Sequence, residues 1–413
     1  MNWFSPASPS VAASAPRRIL SLATVFGLAV SVSGCLGDGV VDMTSSAVSG
    51  AGNLFASAPA GEPVPIDMFV ASTRRNDRGP AERNLAEGAA HYSLLTITVP
   101  PRHRTGNIEM PAFGSPNPRN HFVLAQSRRL GAESLTQDVA THVSGRVGSN
   151  RDVLIYVHGF NTSLQEAEFR LAQIVADGRF GGVPILFTWP AQDGLLSYVS
   201  AKESATVSRD ALTSMLNDLA AIPSIGRIHI LAHSMGAWLA MEGLRESSIG
   251  GPRLLNGKLG NVMLAAPDID VSVFRQQMAK LGPGANVSVF TSTGDRALSL
   301  SSRLVGERLR LGAINPNKPQ DRAELDRLGV KVYDLSSISD GWINHGAYAT
   351  APSVVRQIGA QLTKPRAEDA RKTSIIDGGT VADPVAPVSA SVIETTALPP
   401  PDQAPPQEPT PAR

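Results

Sequence analysis

Between about residue 63 and residue 363 the chain alternates short apolar runs with amphipathic stretches. Val153-Leu154-Ile155-Tyr156-Val157 is a continuous apolar run, as expected of a strand buried on both faces. Ile66–Ser72, Ser93–Val99, Ile185–Phe187, Ile228–Leu231, Val262–Leu264, Val287–Phe290 and Val330–Tyr333 predict further strands. Helical patterns lie between them. Ser163, with Glu166 three residues on, forms a capping box, and Leu164, Ala167, Leu171 and Ile174 then share one helical face. Leu212, Met215, Leu216 and Leu219 form a second stripe, closed by Pro223, and Trp238, Leu239 and Leu244 belong to a third helix. Strands that alternate with helices imply βαβ units. The predicted fold class is therefore α/β, with a mostly parallel central sheet and helices on both faces.

The ends of the chain have another character. Residues 35–62 are mostly small and polar and read as a flexible tether, whereas residues 364–413 are rich in Pro, Ala, Thr and Ser. Pro399-Pro400-Pro401 and Pro405-Pro406 cannot join a helix or a central strand, so this tail is expected to be disordered, in part as polyproline II. A net charge of +1 and a low aromatic content argue against nucleic acid as the partner. The single cysteine allows no intrachain disulfide, and no Cys/His cluster has zinc-ligand spacing. Cys35 follows the apolar run Ile19–Val32, which Arg17 and Arg18 precede. That order predicts an export signal over residues 1–34, in a run too short to span a bilayer comfortably. Val32-Ser33-Gly34-Cys35 resembles a bacterial lipobox. The resemblance implies acylation of Cys35, anchoring to a membrane and, with Leu36 next, sorting to the outer membrane. An ordinary cleaved signal with an incidental cysteine is the alternative.

The chemistry centres on Leu231-Ala232-His233-Ser234-Met235-Gly236, where a predicted strand runs into a predicted helix. A small residue two before Ser234 and Gly236 two after it permit the sharp turn of a nucleophile elbow, in which Ala232 replaces the usual first glycine. The plainer alternative is a serine that caps an ordinary helix. A serine hydroxyl needs a base, a group to orient that base, and donors for the oxyanion. In folds with this elbow the order is serine, acid, histidine. His345 is the one histidine beyond Ser234 and lies in the loop 340–346, after the last predicted strand. Asp295, at the end of the Val287–Phe290 strand, is the favoured acid. Asp268, after Leu264-Ala265-Ala266-Pro267, is its rival, with Asp270 and Asp340 weaker. The amides of Met235 and Phe160 are the expected oxyanion donors, the latter from Val157-His158-Gly159-Phe160-Asn161. His158 could also be a base or ligand, though its place before glycine at a strand end favours a structural role.

With these residues in place, the chain resembles the α/β-hydrolase superfamily, and within it a bacterial esterase/lipase-like subfamily of unknown function. The matching pieces are Phe69-Val70-Ala71-Ser72-Thr73-Arg74, Val157-His158-Gly159-Phe160-Asn161, Phe187-Thr188-Trp189-Pro190, Ala232-His233-Ser234-Met235-Gly236, Leu264-Ala265-Ala266-Pro267-Asp268 and His345-Gly346-Ala347-Tyr348. The resemblance spans about Ile66 to Ile358 and implies hydrolase chemistry without metal or organic cofactor. Trp189-Pro190 and Tyr198–Ser204 fall in the insertion after a strand. That segment is either a lid or pocket wall, or a packed loop with Trp189 in the core. The leading expectation is a serine hydrolase of carboxylic esters or thioesters acting on a small-molecule ester or lipid. The alternatives are a serine peptidase on the same residues, or a non-catalytic envelope scaffold whose Pro-rich tail engages a partner.

Overall fold

The apolar run that stands out in the sequence forms β4 (Val153–Val157), and all five of its residues are buried. Its side chains alternate. Val153, Ile155 and Val157 enter one core layer, and Leu154 and Tyr156 enter the other. A computed structural model of the protein describes residues 61–75, 86–131, 134–191, 197–304, 306, 308–338, 345–364 and 392–393. The expected export signal, Cys35 and the tether as far as residue 60 lie outside the described residues, as does the tail beyond Lys364 apart from Val392 and Ile393.

The other described strands are β1 (Val64–Arg74), β2 (Ala86–Val99), β3 (Val123–Leu130), β5 (Val183–Thr188), β6 (Ile228–His233), β7 (Leu259–Ala265), β8 (Asn286–Thr291), β9 (Lys331–Asp334) and β10 (Val392–Ile393). They form one sheet in the order β10-β9-β8-β7-β6-β4-β5-β1-β2-β3. Strand β1 and strands β4 to β9 run parallel, and the additions at both edges are antiparallel. Helices α1 (Ser134–Val143), α3 (Tyr198–Ala221), α4 (Met235–Gly250) and α5 (Val271–Leu281) feed one core layer, through Val139, Leu212, Leu239 and Phe274. Helices α2 (Leu164–Asp177), α8 (Ala347–Thr350) and α9 (Pro352–Thr363) feed the other, through Leu171, Tyr348 and Ile358. The expected α/β architecture is the one observed.

Local signals explain the boundaries. Ser163 Oγ accepts the N–H of Glu166 at 3.2 Å and so caps α2, as its capping box requires. Helix α3 begins at Tyr198, well before the predicted stripe. Its first turns carry small residues, Ala201, Ser204 and Ala205, whose burial the larger apolar stripe does not announce. Strand β3 was not anticipated. Five of its eight residues are exposed, so it has no apolar alternation, and it exists by pairing with β2.

The chain turns to one side of β4 to form β5, then crosses to the other side for β6. The loops leaving the carboxyl ends of β4 and β6 therefore diverge and open a crevice, the place where doubly wound sheets seat ligands.

A partly buried ion cluster ties the segment after β2 to α2. His103 Nδ1–H donates to Glu109 at 2.8 Å and Nε2–H donates to Asp177 at 3.0 Å. Gly106 N–H and Gln173 Nε2 donate to the other oxygen of Asp177. Burial pulls the His103 pKa down, but the hydrogen bonds and charges of Asp177 and Glu109 outweigh it and hold it above the usual histidine value. A raised folded pKa means that this stabilisation is complete below the unfolded value and is lost as pH rises through the folded one. His103→Gln is thus expected to lower stability by about 2 kcal/mol at pH 5. The gap to wild type should narrow steadily above neutrality in thermal melts, and a gap independent of pH would contradict the charged assignment.

Candidate active site

Strand β6 ends at His233, and the chain reverses at Ser234, where φ is 53° and ψ is −123°. A serine held at positive φ costs of the order of 1–3 kcal/mol and persists only where its surroundings over-determine it. Here they do. Ser234 N–H donates to Ala265 O at 2.9 Å, and its carbonyl accepts from Asp268 N at 3.1 Å and from Ala237 N at 3.1 Å. The hydroxyl makes no cap hydrogen bond to α4, so it is not an ordinary helix cap. Ala232, which replaces the usual glycine, is a regular strand residue paired with Val157 and Leu264, its methyl group in the core. The turn asks nothing of it. Gly236 is different. A Cβ there would lie 2.1 Å from His158 O and 2.7 Å from Val157 O. The first turn of α4 therefore sits directly on the end of β4. A Cβ on Gly159 would lie 2.8 Å from His233 Nδ1 and 3.0 Å from Ser234 Cβ, so the loop after β4 passes against the serine.

That loop is braced from beneath. His158 is fully buried, and its pKa is pushed down to about 3 by burial and then by the Arg74 guanidinium. It is neutral, with Nδ1–H donating to Gly159 O at 2.9 Å and Nε2 accepting from Thr188 Oγ1 at 2.9 Å and Trp189 N–H at 3.3 Å. Trp189 is also fully buried, lies parallel to the imidazole at 5.5 Å, and donates from Nε1 to His158 O at 3.0 Å. Of the two readings of this segment, Trp189 follows the packed one. Arg74 donates to Thr162 O at 3.2 Å and, through Nε, to Thr188 Oγ1 at 2.9 Å. The motifs around Arg74, Thr188 and Trp189 thus serve the shape of the Gly159-Phe160 turn. Met235 opens α4, so its N–H has no acceptor within the helix.

Asp295 follows β8 at the start of α6 (Arg296–Leu304) and is 1% exposed. One carboxylate oxygen accepts the N–H of Leu298 at 3.0 Å, and the other accepts His345 Nδ1–H at 2.6 Å. The first contact aims the second. With Nδ1 as donor, Nε2 is the basic nitrogen of a neutral imidazole. The backbone of His345 is held by the residue before the serine. His233 Nε2–H donates to His345 O at 3.1 Å, and the two rings lie 4.6 Å apart. Burial, and then His345, keep the His233 pKa well below the usual value, so it serves as a neutral donor. Tyr348 stacks on His233 at 4.6 Å and shares a hydrogen bond with the Tyr156 hydroxyl at 2.8 Å. Ser234 and His345 are thus connected through His233; among the described residues no direct hydrogen bond joins the serine hydroxyl to the imidazole.

Asp268 has other partners. Tyr198 donates its hydroxyl to one oxygen at 2.8 Å, Ser301 donates to the other at 2.9 Å, and Arg310 Nε stands 3.1 Å away as an ion pair not aligned as a hydrogen bond. None of these contacts reaches His345. Asp270 caps α5, accepting from Ser272 N and Val273 N. Asp340 lies outside the described residues. The Phe160 ring meets Tyr198 edge-on at 5.7 Å, so the turn after β4 touches the start of α3.

Comparison with curated proteins gives no match. Several solved esterase structures are similar to this chain at low identity. An esterase from Pyrococcus furiosus is 13% identical over 52% of this chain and 82% of its own, with a TM-score of 0.35. A fungal esterase from Rhizomucor miehei is 12% identical over 76% of this chain and 85% of its own, with a TM-score of 0.36. The rice cell wall degrading esterase LipA from Xanthomonas oryzae is 11% identical over 75% of this chain and 100% of its own, with a TM-score of 0.32. The family profile described as α/β hydrolase of unknown function (DUF900) matches residues 132–366, which include β4 to β9 and leave β1 to β3 outside. That match covers more than half of the chain, and the protein belongs to this family of α/β hydrolases.

Proposed function

We propose that the protein is a serine hydrolase of carboxylic esters or thioesters, with Ser234 as nucleophile, His345 as base and Asp295 as the acid that orients it. The observation that carries this reading is the 2.6 Å contact between His345 Nδ1 and Asp295, at the same carboxyl end of the sheet as a serine held at positive φ. Ser234 Oγ attacks the acyl carbon while its proton passes to His345 Nε2. The carbonyl oxygen takes the electron pair and faces the amides of Phe160 and Met235. The tetrahedral centre collapses, the alcohol or thiol leaves with the proton from Nε2, and water repeats the sequence on the acyl-serine. Asp295 stays a carboxylate throughout and stabilises the imidazolium. Contacts between a serine and its base commonly tighten only when substrate binds.

A fluorophosphonate probe is expected to label wild-type protein at one site, which peptide mass spectrometry places on Ser234, and Ser234→Ala is expected to abolish labelling while melting like wild type. Well-folded wild-type protein that takes no label would favour the scaffold over the enzyme.

A further inference from the structure

A cavity of about 240 Å³ opens beside the elbow between α3, α4 and the segment 308–310. Its walls include Tyr198, Lys202, Trp238, Asp270, Arg308 and Arg310. We propose that this cavity is an anion subsite that seats a carboxylate or phosphate group of the ester substrate on the Lys202 ammonium. The proposal rests on the hydrolase reading for its link to turnover, but the anion site itself is testable without it.

Charge and geometry carry the argument. The two arginines already have partners: Arg310 pairs with Asp268 at 3.1 Å and Arg308 with Asp270 at 3.6 Å. Lys202 has no carboxylate in ion-pair contact among the described residues, and its Nζ lies over the Trp238 ring, 3.3 Å from the centroid. Glu242, the other acidic group near it, accepts from Gln277 Nε2 at 2.7 Å. Of the three cations on the cavity wall, Lys202 is thus the one without a carboxylate in ion-pair contact among the described residues. Burial is what chiefly pushes the Lys202 pKa down to about 7, with Asp268 and Glu242 pulling it up and Arg310 adding to the fall. An incoming anion would supply the counter-charge, in a partly desolvated site where a charge-assisted hydrogen bond is strong.

The cavity is also close enough to matter. Trp238 lies four residues after Ser234 on α4, roughly 6 Å along the helix axis. Tyr198 contacts the Phe160 ring, and Asp268, which holds both Tyr198 and Arg310, donates its N–H to the Ser234 carbonyl. A negative group a few bonds from the scissile carbonyl would reach Lys202 while the carbonyl sits at the elbow. It could come from an acyl chain ending in carboxylate or from a phosphate on the alcohol side.

The test has two readouts. Tryptophan fluorescence is titrated with succinate and with inorganic phosphate in wild type, Lys202→Met and Lys202→Arg. Saturable quenching in wild type that is lost in K202M and retained in K202R is expected, and K202R guards against a merely misfolded K202M. In the second readout, kcat/KM is measured for 4-nitrophenyl butyrate against its carboxylate-ended glutarate counterpart, and for a monoacylglycerol against the corresponding lysophosphatidate. Wild type should favour the anionic member of at least one pair tenfold or more, chiefly through KM, and K202M should bring that ratio to about one. Preference in the first pair alone assigns an acyl carboxylate, and in the second alone a phosphate. No saturable quenching by either anion, or ratios unchanged in K202M, would overturn the proposal even if Ser234→Ala abolishes turnover. Quenching that depends on Lys202 without turnover of any ester would instead retain the anion site and remove the hydrolase.

Discussion

Asp295→Asn is expected to lower kcat about 10⁴-fold with little change in fold. The size of the effect follows from which oxygen is replaced. Leu298 N–H donates to one carboxylate oxygen, and that contact will hold the carbonyl oxygen of the asparagine in place. The amide NH₂ then faces His345 Nδ1, where the second oxygen now accepts at 2.6 Å. Two donors cannot share that contact, so the imidazole moves its proton to Nε2 and can no longer take one from Ser234. Asp268→Asn tests the rival acid and should behave in the opposite way. It removes the counter-charge from Arg310, which is 6% exposed, and breaking a buried pair costs about 3–5 kcal/mol. Its melting temperature should drop while turnover per folded molecule stays within about tenfold of wild type. The measurement is kcat per mole of folded protein, with thermal melts on the same samples. Near-normal kcat in Asp295→Asn together with a collapse in Asp268→Asn would move the acid to Asp268.

The second large effect is expected from a single methyl group. Gly236→Ala places a Cβ 2.1 Å from His158 O and 2.7 Å from Val157 O, both backbone atoms that cannot swing aside. Helix α4 must move away from β4 or the turn at Ser234 must open. A cost of about 3 kcal/mol is reasonable for forced overpacking of this kind. In a domain of this size that corresponds to a fall in Tm of about 5 °C. Probe labelling should fall as well, since the serine and the Gly159-Phe160 turn lose their register. Gly250→Ala is the control. It lies at the other end of α4, a Cβ there meets nothing within 4 Å, and its φ is not positive, so it should be neutral or slightly stabilising. Equal melting temperatures for the two variants would refute the close approach of α4 to β4.

Much of this molecule could be read from one dimension. Strand β4 was legible because five consecutive apolar residues need burial on both faces, and α2 because Ser163 and Glu166 announce its start. The start of α3 was not legible. Ala201, Ser204 and Ala205 are buried because α3 packs closely there, and small residues carry no amphipathic signal strong enough to say so. Strand β3 was hidden for the converse reason. Its residues are polar because it lies at an edge, and only its hydrogen bonds to β2 make it a strand.

The site divides along the same line. The sequence by itself determined the elbow, since a small residue, a serine and a glycine at fixed spacing between a strand and a helix describe a local backbone turn, and local turns are encoded locally. It also placed His345 and four candidate carboxylates downstream, with Asp295 and Asp268 foremost, but order along a chain carries no distance. Only the tertiary structure put Asp295 against His345 and gave Asp268 to Tyr198, Ser301 and Arg310, because that choice depends on where the ends of β7 and β8 lie in the sheet. The buttress of Arg74, Thr188 and Trp189 around His158, and the Lys202 ammonium over Trp238, were decided in the same way. Each joins residues far apart in sequence, and burial fixes their contacts only after the chain has folded.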